Sequence, residues 1–211
     1  MRLAVFGATG GTGARLTRQA LERGHEVAVL ARRPQALGID HPRLRVVAGD
    51  VTVPGAAAPV VAGADAVVSA LGIGLHRYAT TVYSAGVANI LAAMAAGGPG
   101  RILVVSTSSL SLPGRERLAE WLLARLVLHP LLRKPYADMR VMEDELGTSD
   151  AAWTIVRAAR LTNGPPTGTW RVAESGKLPG CWSISRADLA SYLLDHVADP
   201  SLARTTVDIA Y

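Results

Sequence analysis

Short apolar runs alternate along the chain with longer stretches of helical period. Arg2-Leu3-Ala4-Val5-Phe6 is apolar at consecutive positions, as in a strand buried on both faces. It runs into Gly7-Ala8-Thr9-Gly10-Gly11-Thr12-Gly13, and a helical pattern follows at once with Ala14, Leu16, Ala20 and Leu21. The same alternation predicts strands at Glu26 to Leu30, Leu44 to Ala48, Asp65 to Ala70, Arg101 to Val105, Trp153 to Arg157 and Thr205 to Ile209. Two shorter ones are expected near Trp170 to Ala173 and Cys181 to Ile184. Helices are predicted for Pro54 to Ala62, opened by a proline, and for Tyr78 to Ala96, closed by Gly97-Gly98-Pro99-Gly100. Another runs from Tyr136 to Leu146, entered through Pro135. The last begins at the capping box Ser185-Arg186-Ala187-Asp188 and runs to about Ala198, before Pro200. Strands that alternate with helices predict an α/β protein with a doubly wound parallel sheet in three αβα layers.

No polar or Pro/Ser-rich run divides the 211 residues, so one domain spanning 1–211 is expected. No stretch approaches the roughly 20 uninterrupted apolar residues of a membrane helix. The N-terminus starts directly on a strand and lacks the basic, apolar and cleavage regions of a signal peptide; a cytoplasmic location is the expectation. Cys181 is the lone cysteine, which leaves no internal disulfide or thiolate cluster, and the five histidines lack ligand spacing, so no metal site is expected. The net charge of +5 raises the question of nucleic acid. However, the basic residues are spread over the whole chain, all are arginine except Lys134 and Lys177, and aromatics for base stacking are few, which argues against it.

The glycine-rich turn carries the chemistry. Gly7 lets the chain leave the strand sharply, Gly10 removes a Cβ from the path of a pyrophosphate, and Gly13 lets the helix pack close. Phosphates would then meet the unpaired N–H groups of a helix N-terminus. This is the layout of a Rossmann-like dinucleotide-binding unit. The second strand ends in Ala31-Arg32-Arg33-Pro34, where an NAD site usually carries an acid and a 2′-phosphate needs cations, so Arg32 and Arg33 favour NADP(H). Asp50, beside Val51, is placed to accept from an adenine amino group or to serve as an ordinary turn aspartate. Leu71-Gly72-Ile73-Gly74 should border the ribose and nicotinamide half, because ligands of open α/β sheets lie at the carboxyl ends of strands. Asn89 reads as structural.

The fifth strand discharges into Ser106-Thr107-Ser108-Ser109, a hydroxyl cluster facing the nicotinamide and its hydride acceptor: Ser106 on the cofactor side, Ser108 as polarising hydroxyl, Ser109 toward substrate. Tyr136 and Arg140, four apart, share a helix face, where the cation would favour tyrosinate and make Tyr136 a general acid toward a reduced carbonyl. From Gly114 to Lys134, Leu118, Trp121, Leu122, Leu126 and Val127 fall at helical spacing among Arg115, Arg117, Arg125, Arg133 and Lys134. That segment reads as a basic amphipathic lid, a partner-binding helix, or a helix packed on the sheet. The loop from Ala158 to Gly168 should line the substrate pocket, with Arg160 as an anchor for an anionic group.

Taken together, Gly7-Ala8-Thr9-Gly10-Gly11-Thr12-Gly13, Leu30-Ala31-Arg32, Gly49-Asp50-Val51, Ala70-Leu71-Gly72, Ser106-Thr107-Ser108, Pro166-Thr167-Gly168 and Ile184-Ser185-Arg186-Ala187-Asp188-Leu189 resemble the atypical short-chain dehydrogenase/reductases of the NmrA-like, NAD(P)H-binding family. In length and order the chain is most similar to the biliverdin-IXβ reductase/flavin reductase type. The resemblance implies that Gly7, Thr9, Gly10, Thr12 and Gly13 contact the pyrophosphate and Arg32 the 2′-phosphate. It sets Asp50 and Val51 at adenine, Leu71 and Gly72 on the ribose side, and Ser108 near the nicotinamide. Arg160 stands where that type has histidine, and Arg140 where short-chain dehydrogenases have lysine. The function implied is an NADP(H)-dependent oxidoreductase passing a hydride between the nicotinamide and a small planar or carbonyl-bearing molecule: a flavin, quinone, ketone or imine. A redox-sensing regulator that binds NADP without turnover, and an isomerase or lyase on the same fold, are the alternatives. The apolar faces of the helices leave monomer and homodimer both open.

Overall fold

The computed structural model describes residues 1–74, 76, 78–111, 121–122 and 124–211. Eight strands form the main sheet in the order β3-β2-β1-β4-β5-β6-β10-β8: β1 Arg2–Phe6, β2 Glu26–Ala31, β3 Leu44–Ala48, β4 Ala66–Ser69, β5 Arg101–Thr107, β6 Ala152–Ala158, β8 Arg171–Glu174 and β10 Thr205–Ala210. All neighbours pair in parallel except β8, which runs antiparallel to β10. Helices α1 (Gly11–Glu22) and α5 (Arg186–Asp195) cover one face; α2 (Ala58–Val61), α3 (Ser84–Ala95) and α4 (Arg133–Thr148) cover the other. This is the Rossmann-like doubly wound sheet in three layers that the pattern predicts, built as a single domain.

Both layers of core come from the two-residue period of strands buried on both sides. Leu3 and Val5 of β1 join Leu16, Leu189 and Leu193 beneath α1 and α5, whereas Ala4 and Phe6 join Ile90, Met142 and Leu146 beneath α3 and α4. The two edge strands, β3 and β8, hold no fully buried residue.

The chain departs from the sequence expectation in five places. The helix expected from Pro54 is confined to Ala58–Val61, because Gly55 takes a left-handed conformation at φ +81° and breaks any earlier turn. The helix expected from Tyr78 starts at Ser84: the Thr80 hydroxyl accepts from Val82 N, and Asp138 of α4 accepts from Tyr83 N at 2.9 Å and from Ser84, capping the helix from a distant element. Arg160–Thr162, expected as loop, forms β7 by pairing with β9 (Ser183–Ser185). Helix α4 begins at Arg133, with Pro135 inside the first turn, where a missing N–H costs nothing. At α5 only the serine half of the expected capping box forms: Ser185 Oγ accepts from Asp188 N at 2.9 Å, whereas Ser185 N donates to the Tyr211 hydroxyl at 3.0 Å and the Asp188 carboxylate accepts from Thr167 N and Gly168 N. The helix stops at Asp195, three residues short of expectation.

Of the amphipathic stretch from Gly114 to Lys134, Arg115, Arg117 and Leu118 lie outside the described residues. In the described part, Arg125 stacks over Trp121 with its guanidinium carbon 5.2 Å from the ring centroid. The residues Ala124–Leu128 form a π-helical turn that leaves Leu126 and Val127 exposed, so this part is not a helix packed on the sheet.

Candidate functional site

Sheet order reverses between β1 and β4, and the cleft opens there, as in other doubly wound sheets. The β1–α1 turn is fixed by two contacts no side chain could enter. Gly7 sits at φ +80°, where a Cβ would stand 2.3 Å from the Ala70 carbonyl oxygen; at Gly13 a Cβ would stand 2.2 Å from the Gly7 carbonyl oxygen. Gly10, the N-cap of α1, offers no capping side chain, and the first turn holds no acidic residue. The orphan N–H groups and the positive end of the helix dipole are therefore left for an anion from outside.

A cleft of about 520 Å³ extends from this turn along the carboxyl ends of the strands. Of the expected cofactor residues, Gly7, Thr9, Gly10, Gly11, Thr12, Arg32, Asp50, Val51, Leu71, Gly72 and Ser106 line it, as does Arg160. Gly13 lies behind the wall against Gly7, and Arg33 is exposed outside it. Asp50 accepts from Thr52 N at 3.0 Å and from the Thr52 hydroxyl at 2.8 Å, which together hold its carboxyl below the usual range despite partial burial. Asn89 plays the structural part expected of it, donating to the Val51 carbonyl at 2.8 Å.

The far end of the cleft is a hydroxyl and carboxylate network. Ser106 donates to Glu143 Oε1 at 2.6 Å, and Arg157 clasps the same carboxylate through Nε at 3.0 Å and through Nη2. Thr107, on the cleft wall, lies 2.8 Å from Ser109 Oγ, which lies 2.6 Å from the Tyr136 hydroxyl. Ser109 and Tyr136 thus reach the cleft through Thr107 and do not themselves line it. Tyr136 is buried, and burial pushes its pKa up, outweighing the opposite pull of the Ser109 bond and of Arg140. Arg140 thus pulls toward tyrosinate as expected, but burial outweighs it, and at neutral pH the group is a phenol. The Arg140 guanidinium reaches the Leu110 carbonyl at 3.5 Å and not the cleft. Ser108 is also off the wall; its carbonyl accepts from Lys177 Nζ at 2.8 Å and its hydroxyl approaches the Cys181 thiol.

Four side chains of this site are not singled out by the sequence reading, and only one of them has a spacing that could find it. Thr107 is one hydroxyl among serine neighbours. Glu143 is seven residues beyond Tyr136, hence on the same helix face, a spacing that could find it. Tyr83, whose hydroxyl accepts from Ile73 N at 3.4 Å, lines the cleft from the start of α3. Arg186 is visible only as part of a capping box. In the fold it lies across Gly11, and burial followed by the neighbouring Arg15 lowers its pKa.

A parallel sheet whose switch point opens onto an uncapped helix N-terminus, past a turn admitting only glycine, defines a dinucleotide-binding Rossmann protein. The chain belongs to the NAD(P)H-binding family, whose pattern matches residues 7–200. Solved structures share the fold. A short-chain dehydrogenase/reductase (wide type) of Veillonella parvula, in complex with NADP, is 21% identical with a TM-score of 0.83, covering 100% of this chain and 94% of that one. A candidate epimerase of Bacteroides thetaiotaomicron is 24% identical at TM-score 0.83, covering 100% and 96%. A candidate exported protein of Burkholderia pseudomallei is 24% identical at TM-score 0.80, covering 100% of both. Among the described residues no helix is long and apolar enough to cross a membrane.

Proposed function

We propose that the protein is a cytoplasmic NADP(H)-dependent reductase of small planar or carbonyl-bearing molecules, of the single-domain biliverdin-IXβ reductase/flavin reductase type within the NmrA-like short-chain dehydrogenase/reductases. The observation that carries it is the chain of hydroxyls running from buried Tyr136 through Ser109 to Thr107 on the cleft wall. A protein that only senses nucleotide needs no such path.

The residues present fit the cofactor. The Gly7-to-Gly13 turn, in which Gly7 and Gly13 admit no Cβ, brings the uncapped N-terminus of α1 to the cleft to meet a pyrophosphate, and Arg32, at the end of β2 on the cleft wall, offers a cation for a 2′-phosphate. When bound, the nicotinamide supplies a hydride; the protein positions the acceptor, excludes water and supplies a proton. Tyr136 is the proton source, kept neutral by burial. It donates to Ser109, Ser109 to Thr107, and Thr107 to the oxygen or nitrogen of the acceptor. Ser109 and Thr107 each give one proton as they take one, and the tyrosinate left at Tyr136 recovers its proton from solvent by the same path run in reverse once product has left. Ser106 is held as a donor to Glu143, so its remaining lone pairs accept from a substrate or cofactor group. Arg160, exposed on the wall beyond β6, is the anchor for an anionic substituent.

Purified protein titrated with NADPH and NADH, then followed by loss of nicotinamide absorbance against flavins, quinones, ketones and imines, tests the reading. Preference for NADPH with turnover of at least one class supports it. Tight binding with no oxidation by any acceptor would replace it with a redox sensor, and binding of neither nucleotide would sink both.

A further inference from the structure

One cation on the cleft wall has no part in the hydroxyl path, in 2′-phosphate recognition or in anchoring the acceptor. Arg186 opens α5, yet its side chain crosses to the first turn of α1. A Cβ on Gly11 would stand 2.8 Å from its Cδ and Nε, so the arginine lies flat on the glycine backbone. Its Nη1 is tethered to Asn163 Oδ1 at 2.9 Å and to the Leu161 carbonyl at 3.4 Å. That leaves Nε and Nη2, the bidentate edge of the fork, without a hydrogen-bond partner among the described residues. No carboxylate among the described residues pairs with it either. The nearby Arg15 binds the Gly11 carbonyl at 2.8 Å, adding positive charge to a helix end that has no acid in its first turn.

An arginine half-tethered by neutral acceptors, with its free fork beside an uncapped helix N-terminus, is arranged for an anion with paired oxygens. Resting on the nucleotide reading above, we propose that Arg186 is a second jaw of the pyrophosphate site, its free fork holding the diphosphate beside the N-terminus of α1. Such a grip explains why position 11 is glycine. At Gly11 the backbone is not left-handed, and the space a Cβ would fill is occupied by the arginine. The two cations then have separate roles, Arg186 reading the diphosphate common to NAD and NADP, and Arg32 the 2′-phosphate that distinguishes them.

Isothermal titration of wild type, Arg186→Gln, Arg186→Lys and Arg32→Gln with NADP+, NAD+ and 2′-AMP tests the division without any turnover, with thermal midpoints as a check on folding. Loss of a charge-assisted bidentate contact should weaken Arg186→Gln about 10- to 100-fold for NADP+ and NAD+ alike. Binding of 2′-AMP, which has no diphosphate, should stay within about two-fold of wild type, a margin well under one such contact. Arg186→Lys, which keeps the charge without the fork, should fall between. Arg32→Gln should show the complementary pattern, losing NADP+ and 2′-AMP but not NAD+. Unchanged binding by a folded Arg186→Gln overturns the proposal while leaving the nucleotide reading intact, and so does a loss confined to NADP+. Failure of wild type to bind any of the three overturns the nucleotide reading and the jaw with it.

Discussion

Gly13→Ala sets two effects of opposite sign against each other. Gly13 is the third residue of α1, where alanine is the better helix former by about 1 kcal/mol. Against that, its Cβ would stand 2.2 Å from the Gly7 carbonyl oxygen, about 1.2 Å short of ordinary contact, and the obstacle is backbone that cannot rotate away. Overpacking costs about 1–3 kcal/mol, and an obstacle of this kind belongs at the upper end. The net is a loss of about 2 kcal/mol, which in a chain of this size lowers the thermal midpoint by about 4–8 °C. Because α1 must lift from the turn, NADP+ affinity falls with it. Gly147, near the end of α4, is the control: a Cβ there meets nothing within 4 Å, so Gly147→Ala should raise stability by about 0.5–1 kcal/mol. Circular dichroism melts of both variants decide the matter. If Gly13→Ala is as stable as Gly147→Ala, the close approach of α1 to Gly7 does not exist and the geometry of the phosphate turn falls.

Three further outcomes follow from the far end of the cleft and the core behind it. Tyr136→Phe and Thr107→Val should each lower kcat about 10²- to 10⁴-fold while nicotinamide-nucleotide affinity, measured by titration, stays at the wild-type value; a loss in only one of the two would break the hydroxyl path. Glu143→Gln keeps the shape of the side chain but leaves Arg157 charged and unpaired, and should cost about 2–3 kcal/mol by chemical denaturation, less than a fully buried pair because the Arg157 side chain is 24% exposed. Asp208 is 2% exposed, and burial raises its pKa against the opposing pulls of Leu178 N–H, Lys177 and Arg157. A carboxyl raised on folding contributes stability that is complete below its unfolded pKa, about 4, and is lost as pH rises through the folded value. Wild type should therefore lose midpoint relative to Asp208→Asn as pH rises from about 4 toward neutrality, and parallel curves would show that Asp208 does not titrate with folding.

Legibility in the sequence divides along sequence separation. The β1–α1 turn is readable because every determinant lies within a dozen residues: apolar strand, glycine spacing and helical period. The cleft wall from Gly7 to Gly72, expected to meet adenine and phosphate, is legible segment by segment for the same reason. The start of α3 is not, because its cap is Asp138, reached from another helix. Neither is β7, which becomes a strand only by pairing with β9, more than twenty residues on. Tyr136 and Ser109 stand out as chemistry-bearing residues, but their order in space has no local signature. The hydroxyl that touches the cleft is Thr107, and the phenol sits two hydrogen bonds behind it. A period in a helix shows which residues share a face; it does not show which of them reaches the ligand first.

On the function proposed above, binding and chemistry fall to different elements of the fold. The proposed anion end comprises the β1–α1 turn, the end of β2 and the first residue of α5; the proposed proton end comprises the end of β5 and one face of α4. The two ends share no side chain, and among the described residues no hydrogen bond joins Arg32 or Arg186 to Thr107, Ser109 or Tyr136. Their defects should then add. Arg186→Gln combined with Thr107→Val should show the affinity loss of the first and the turnover loss of the second, with an interaction energy under about 0.5 kcal/mol. A larger coupling would mean that the diphosphate grip positions the nicotinamide for proton delivery, so that the cleft works as one rigid unit.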